Sequence, residues 1–323
     1  MRQTSQVIER LSALWPALEI TVEQIHTVGD RVTDMPLSRI GGDGVFVTEI
    51  EHALRERRID LAVHSLKDLP TVQPDDLRVV VMGPREDVRD VFIANEPFTL
   101  SRQGLQPVKE KVREVPLRIG TCSLRRTAQI RQLCPDAQIL PLRGNVDTRL
   151  RKLAAGDYDG IILAAAGLHR LGMQEQLAGQ LVYFPVEVLM PAPGQGALAL
   201  EIRNEPALLA LLEPLKDVAL QAAVDAERMF MRRLGAGCYL PVAAYGCVEH
   251  GMLTLRGLVA SLDGQRAIRV QKSIAWPPAA DLEHAGQASK NLGMSLGEEA
   301  LAQGASEIIG EVSAAREREP RYV

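Results

Sequence analysis

Between Leu117 and Gly167 the apolar positions switch regularly between two periods. LRIGT alternates as a strand and CSLRRTAQIRQL carries a helical stripe. AQILPLRG returns to a strand, NVDTRLRKLAAG to a helix, and DGIILAAAG to a third strand. Strands that alternate with helices imply right-handed parallel crossovers, so both strand-to-helix turns fall along one edge of one sheet. Upstream, Thr4 to Trp15 reads as an amphipathic helix with Val7, Ile8, Leu11, Leu14 and Trp15 on one face, ended by Pro16. LEITVEQIHT then alternates as a strand. PLSRIGGDGVFVTEIEHALRERR predicts a glycine-rich turn entering a helix that buries Phe46, Ile50, Ala53 and Leu54. IDLAVHSLKDLP is a short buried strand ending in a charged turn before Pro70, and LRVVVMG is another strand.

Downstream, REDVRDVFIANE looks like a crossing into a second unit, and the Pro/Gly cluster Pro191–Gly196 like a linker or tight binding turn. EPALLALLEPL and DVALQAAVDAERMFMRRL read as helices, and LGAGCYLPVAAYG as a glycine-rich loop entering a strand. LTLRGLVASLDGQRAIRVQKSIAW is a hairpin about Asp263-Gly264. A helical segment over 279–304 and a frayed tail, EREPRYV, complete the chain.

Charge changes the picture most in the alternating stretch. From Arg118 to Lys152 there are eight basic residues against Asp136 and Asp147, in a chain whose formal net charge is −4. Arg131, Arg151 and Lys152 fit solvated helix faces. Arg125, Arg126, Arg143 and Arg149 instead sit in or beside the two turns, where the helix dipole disfavours a cation, and an arginine placed there implies an anion to hold. Composition narrows the rest. At 323 residues two or three domains are expected, and 4% aromatic content with an acidic balance argues against a nucleic-acid platform. No run is long enough to span a membrane, and no signal peptide is evident at the start. Cys122, Cys134, Cys238 and Cys247 form no CxxC pair or metal spacing, which suits reduced thiols in a cytoplasm.

LAVHSLKDLP, GTCSLRR, LRGNVDTRL, DGIILAAAGLHRLG, PAPGQGALALE and LGAGCYLPVAAYG occur in one order, and together they resemble the porphobilinogen deaminase (hydroxymethylbilane synthase) family over nearly the whole chain. The resemblance implies an α/β protein with two periplasmic-binding-protein-like lobes of parallel-rich mixed sheets and a small α+β C-terminal domain. The corresponding bounds are 1–84 plus about 196–214, 85–195, and 215–323. It also implies a dipyrromethane cofactor joined by a thioether to Cys238, onto which porphobilinogen units are condensed with loss of ammonia before hydroxymethylbilane is released. Asp68 matches the catalytic aspartate, which would stabilise the cationic azafulvene left by ammonia loss and shuttle protons.

Lys67, Ser65, Ser123, Arg125, Arg126, Arg143, Gly144, Arg149 and Arg170 match cofactor-binding positions. Arg143, Arg149, Arg170 and Arg39 match positions for substrate carboxylates, for which guanidinium forks are well suited. Gln195 is a candidate cleft contact, while His64 fits a satisfied core histidine. Porphobilinogen is the implied partner, with no nucleic acid, membrane or metal, and a monomer is expected.

Two departures stand out. The family opens with a strand and a Gly-Thr-Arg-x-Ser turn, whereas this chain opens on the helix that follows. Arg2 reads as part of that helix, and the expectation is a weakened first domain with reduced or absent turnover. Asp43 in IGGDGVF stands where the family commonly has lysine, in a turn resembling a lid. A non-catalytic two-lobed binder of anionic solutes is the rival reading, and it has no use for Cys238. A phosphate-handling enzyme is disfavoured by the lack of a GxxxxGK[ST] run.

Overall fold

The fold was read from a computed structural model, which describes residues 2–25, 47–102, 104–109, 115–235, 237, 239–276 and 282–318. Helix α1 (Arg2–Leu14) buries Val7 and Leu11, and helix α2 (Thr48–Arg55) buries Ala53 and Leu54. Between them in space lies a sheet that includes β1 (Leu61–Ser65) and β2 (Leu77–Met82), both antiparallel to a strand returning from residues 198–203. Val7 and Leu11 pack on one face, against Val80, Met82, Leu198, Leu200 and Ile202. The other face carries Leu54 against Ala62 and Leu77, with Leu66, Val81 and Ala199 beside them. The expected strand at 18–27 does not form over 18–25, which carry no ladder. Its apolar positions Leu18 and Ile20 still pack on the α1 cluster, so the alternation records a half-buried segment with no neighbouring strand among the described residues. His26 and Thr27 lie outside the described residues.

The second unit begins with β3 (Asp90–Ala94) and a hairpin of β4 (Phe98–Ser101) and β5 (Gly104–Pro107) that the apolar pattern did not disclose. Next come β6 (Arg118–Gly120), α3 (Leu124–Leu133), β7 (Gln138–Leu140), α4 (Val146–Ala154), β8 (Gly160–Ala164), α5 (Ala165–Leu171) and β9 (Leu181–Tyr183). The sheet order is β7-β6-β8-β3-β9. β6 is parallel to β7 and β8 as the alternating pattern requires, while β3 runs antiparallel to β8 and β9. The third predicted strand is shorter than DGIILAAAG. Its ladder with β3 ends at Ala164, and the alanines beyond it enter α5.

The chain then re-enters the first sheet as β10 (Leu198–Arg203), whose six residues are all buried because both faces are covered. Helix α6 (Pro206–Leu212) follows, and α7 (Val218–Arg233) opens the third unit. That unit continues with the antiparallel sheet β11 (Val242–Glu249), β12 (Met252–Ala260) and β13 (Ala267–Ala275), then α8 (Leu282–Ala300) and α9 (Ser306–Arg318). Phe230, Leu253, Leu255, Leu292 and Leu296 fill the space between α7, α8 and the sheet. The helical region thus extends past the predicted 304, and only 319–323 of the expected tail lie outside the described residues.

The third unit docks on the second through Ala243, Leu258 and Ala260 against Ala128 and Met190. Arg131, expected on a solvated face, instead donates Nη1 to the Leu262 carbonyl oxygen at 2.6 Å and holds the β12–β13 turn. Buried Glu227 of α7 ties all three units. It accepts from Arg85 at 2.7 and 3.0 Å, and from the backbone N–H groups of Gly194 (2.6 Å) and Gly246 (2.7 Å). Arg85 and Gly194 belong to the two chain crossings between the first and second units.

Candidate active site

The two strand-to-helix turns of the second unit are built by side-chain caps. Ser123 Oγ accepts the Arg126 backbone N–H at 3.4 Å, and Asn145 Oδ1 accepts that of Thr148 at 2.9 Å. Before the second cap, Gly144 has φ +111°, and an added Cβ would stand 2.7 Å from the Thr148 methyl carbon, so only glycine fits. Facing these turns across the cleft is the end of β1, where Ser65 leads into a 3₁₀ turn, Leu66–Asp68. A cavity of about 200 Å³ opens between the two units. Gln3, Ser65 and Lys67 line it from the first unit. Arg126, Gly144, Arg149 and Arg170 line it from the second, with Gly194–Ala197 of the return crossing at its base.

Arg125 and Arg126 do hold an anion, but it is the protein's own. Asp90, fully buried at the start of β3, accepts from Arg125 Nη1 (2.7 Å), Arg126 Nε (3.2 Å), Arg126 Nη2 (2.7 Å) and Gln195 Nε2 (3.0 Å). Helix-terminus electrostatics therefore identified arginines that need a counter-charge without showing where the charge comes from. Burial works to raise the Asp90 carboxyl, but the two guanidiniums outweigh it and hold it far below the ordinary carboxylate range. Gln195 is more than a cleft contact. Its Nε2 also donates to the Val88 carbonyl oxygen at 2.7 Å, and its Oε1 accepts from Arg125 at 3.4 Å. Asp90 was legible only as an acid opening an otherwise apolar run, DVFIA.

One carboxylate does not balance this wall. Arg149 donates Nε to the Gly144 carbonyl oxygen at 2.7 Å, and Arg170 donates Nη2 to that of Gly196 at 2.8 Å. Among the described residues neither makes an ion pair. Burial lowers the pKa of both, and for Arg149 the neighbouring Arg126 and Arg143 lower it further against the opposing Cys122 and Asp68. Half-buried Lys67 is also depressed, chiefly by burial and by Arg126 and Arg125, with Asp68 and Asp90 opposing. The cavity thus concentrates cations at an electrostatic cost that a bound polyanion would remove.

The predicted site residues divide accordingly. Ser65, Lys67, Arg126, Gly144, Arg149, Arg170 and Gln195 converge on the cavity. Arg125 stands behind Arg126, buried, and Ser123 caps its helix. Half-buried Arg143 and exposed Asp68 do not line the cavity, although Asp68 lies near enough to Lys67 and Arg149 to raise both. Arg39, Asp43 and Cys238 lie outside the described residues. Gln3 was missed: its Nε2 donates to Ser65 Oγ at 2.8 Å, and the sequence marked it only as a polar position in an amphipathic helix. His64, as expected, is a buried histidine satisfied within the core, 3.0 Å from Glu201.

Residues 1–210 match the family model for the dipyrromethane cofactor binding domain of porphobilinogen deaminase, and residues 221–302 match the model for its C-terminal domain. The porphobilinogen deaminase of Syntrophobacter fumaroxidans is 42% identical over 315 residues, covering 97% of this chain and 94% of the relative. This chain belongs to the porphobilinogen deaminase family. A second porphobilinogen deaminase, from Roseiflexus castenholzii, is 43% identical over 310 residues, covering 95% of this chain and 94% of that one. Among solved structures, the periplasmic VFT2 domain of Bordetella pertussis BvgS gives a TM-score of 0.36 at 13% identity, over 65% of this chain and 74% of that one.

All the cavity-lining residues fall within the span matched to the porphobilinogen deaminase cofactor domain. The donor set suits a group bearing several carboxylates, because Lys67, Arg126, Arg149 and Arg170 bring four cationic side chains to the cavity, of which Arg126 is paired with buried Asp90. Among the described residues no cluster has metal-ligand composition, and no helix is long and apolar enough to cross a membrane.

Proposed function

We propose that this chain condenses porphobilinogen stepwise, with loss of ammonia, onto a dipyrromethane held by Cys238, and releases hydroxymethylbilane. The observation that carries the reading is the excess of buried or half-buried cations at the interlobe cavity, with Arg149 and Arg170 pushed below their usual pKa by burial. The cofactor, when bound, supplies the nucleophilic pyrrole carbon to which substrate is joined. Arg126, Arg149, Arg170 and Lys67 hold carboxylates, and Ser65 and Ser123 add donors at the cleft edges. Arg143 and Arg39 extend the cationic surface along the growing chain.

Arg125 acts from behind, sharing Asp90 with Arg126 and fixing where the second guanidinium lies. Asp68, at the end of its turn, supplies the carboxylate that accepts and returns protons and offsets positive charge as ammonia departs. The working units are 1–84 with 196–214, 85–195, and 215–323, and the enzyme acts as a cytoplasmic monomer. The test is to add porphobilinogen to the purified chain and follow ammonia release and intact mass. Slow ammonia release with stepwise mass increments is expected, and Asp68→Asn should bind substrate but slow each step at least a hundredfold further. Asp68→Asn turning over at the parent's rate, or mass increments that do not match porphobilinogen less ammonia, would overturn the assignment.

A further inference from the structure

The last turn of α5 reaches both chain crossings. Arg170 donates to the Gly196 carbonyl oxygen at 2.8 Å, and the Glu86 backbone N–H donates to the same oxygen at 3.1 Å. Next to Arg170, His169 Nδ1 meets Glu86 Oε1 at 3.0 Å, and that oxygen also accepts the Asp87 backbone N–H at 3.0 Å. On the far side of the ring, Nε2 lies 3.1 Å from the Tyr183 hydroxyl of β9. The neutral ring satisfies both contacts by donating Nδ1–H to Glu86 and accepting the Tyr183 O–H. Protonation only turns the second contact round, so the geometry survives either state.

The surrounding charges can be paired off. Asp87 is taken up by Arg89 at 2.7 Å, and the Arg89 guanidinium lies over the Tyr183 ring at 4.6 Å. Glu86 and Arg170 remain, and they attract one another. With a neutral His169 they cancel at the cavity wall. With a protonated His169 the wall gains a net positive charge beside the one of these groups that lines the cavity, Arg170.

We infer that His169 is a positioning residue that couples its own protonation to anion binding at Arg170, by neutralising Glu86 when charged. The inference rests on the reading of Arg170 as a carboxylate-binding side chain. Ligand affinity then rises as pH falls, and an anion at Arg170 favours the protonated His169 ring.

Two measurements on the full chain carrying its cofactor test this. By titration calorimetry with porphobilinogen between pH 5.5 and 8, the parent should bind about three- to fivefold more tightly at the acid end, and His169→Gln should lose that dependence. By imidazole NMR, the His169 ring should hold its proton to higher pH in the parent than in Glu86→Gln, because the variant lacks the carboxylate that the ring faces. An unchanged pH dependence in His169→Gln, or a His169 titration indifferent to Glu86→Gln, would overturn the inference. Absence of porphobilinogen binding at every pH would instead overturn the proposed function, and the NMR arm would still judge the His169–Glu86 coupling.

Discussion

Replacing Asp90 by Asn isolates the charge that organises the cationic wall. The carboxylate accepts four hydrogen bonds, three of them from guanidiniums whose residues are only 5% and 6% exposed. Asn keeps one acceptor oxygen and turns an NH₂ group toward the cations, so two buried arginines lose their shared counter-charge. Breaking a buried pair from one side costs about 3–5 kcal/mol. With a urea m-value of about 2–3 kcal/mol per molar, that is a fall of roughly 1–2.5 M in the midpoint of the transition that includes the second unit.

Three units need not unfold together, so the measurement should pair urea titration with hydrogen exchange on peptides covering β3 and α3. Adding Arg125→Met to Asp90→Asn should recover about 1–3 kcal/mol, because one orphaned cation is then gone. A single-variant loss below about 1 kcal/mol, or no recovery in the double variant, would show that Asp90 does not balance these arginines.

Other consequences follow from the same contacts. Asp90 has a folded-state pKa far below its unfolded value of about 3.9, so its stabilisation is complete above that value and drains away as pH falls through the folded one. Acid titration followed by circular dichroism should therefore show a shallower stability loss below about pH 4 in Asp90→Asn than in the parent. Glu227→Gln removes the charge opposite Arg85 while keeping an acceptor. It should cost about 3 kcal/mol and raise exchange at the amides of Gly194 and Gly246, which donate to it. Gly196→Ala would place a Cβ 2.4 Å from the Glu86 carbonyl oxygen at φ +87°, and should lower stability by about 1–3 kcal/mol and weaken porphobilinogen binding by calorimetry. Arg149→Met should raise KM at least tenfold, because Arg149 lines the cavity without an ion pair among the described residues.

The elements were largely legible because period and capping agree locally. The β6–α3–β7–α4–β8 succession, the hairpin about Asp263-Gly264 and the α7 helix all appear where the apolar pattern puts them. Failures arose where a long-range partner decides. The pattern at 18–27 is that of a strand, but a ladder needs a neighbour, and 18–25 have none among the described residues. The site was legible as charge and illegible as pairing. Arg149 and Arg170 were found by their place in turns and motifs, whereas Asp90 sits 35 residues before Arg125 in a segment read as a mere crossing. Glu227 and His169 were invisible as functional groups for the same reason, since each acquires meaning only from Arg85 or Glu86 across the fold.

The claim on which the rest depends is that the cationic cleft houses a polycarboxylate fixed to Cys238. Intact-mass spectrometry of the purified chain tests it most directly, beside Cys238→Ser and an aldehyde colour reaction for dipyrromethane. The expected result is a mass above that of the polypeptide by the cofactor, with a positive colour reaction, both lost in Cys238→Ser. A parent mass equal to the polypeptide alone, or an adduct that persists in Cys238→Ser, would contradict it.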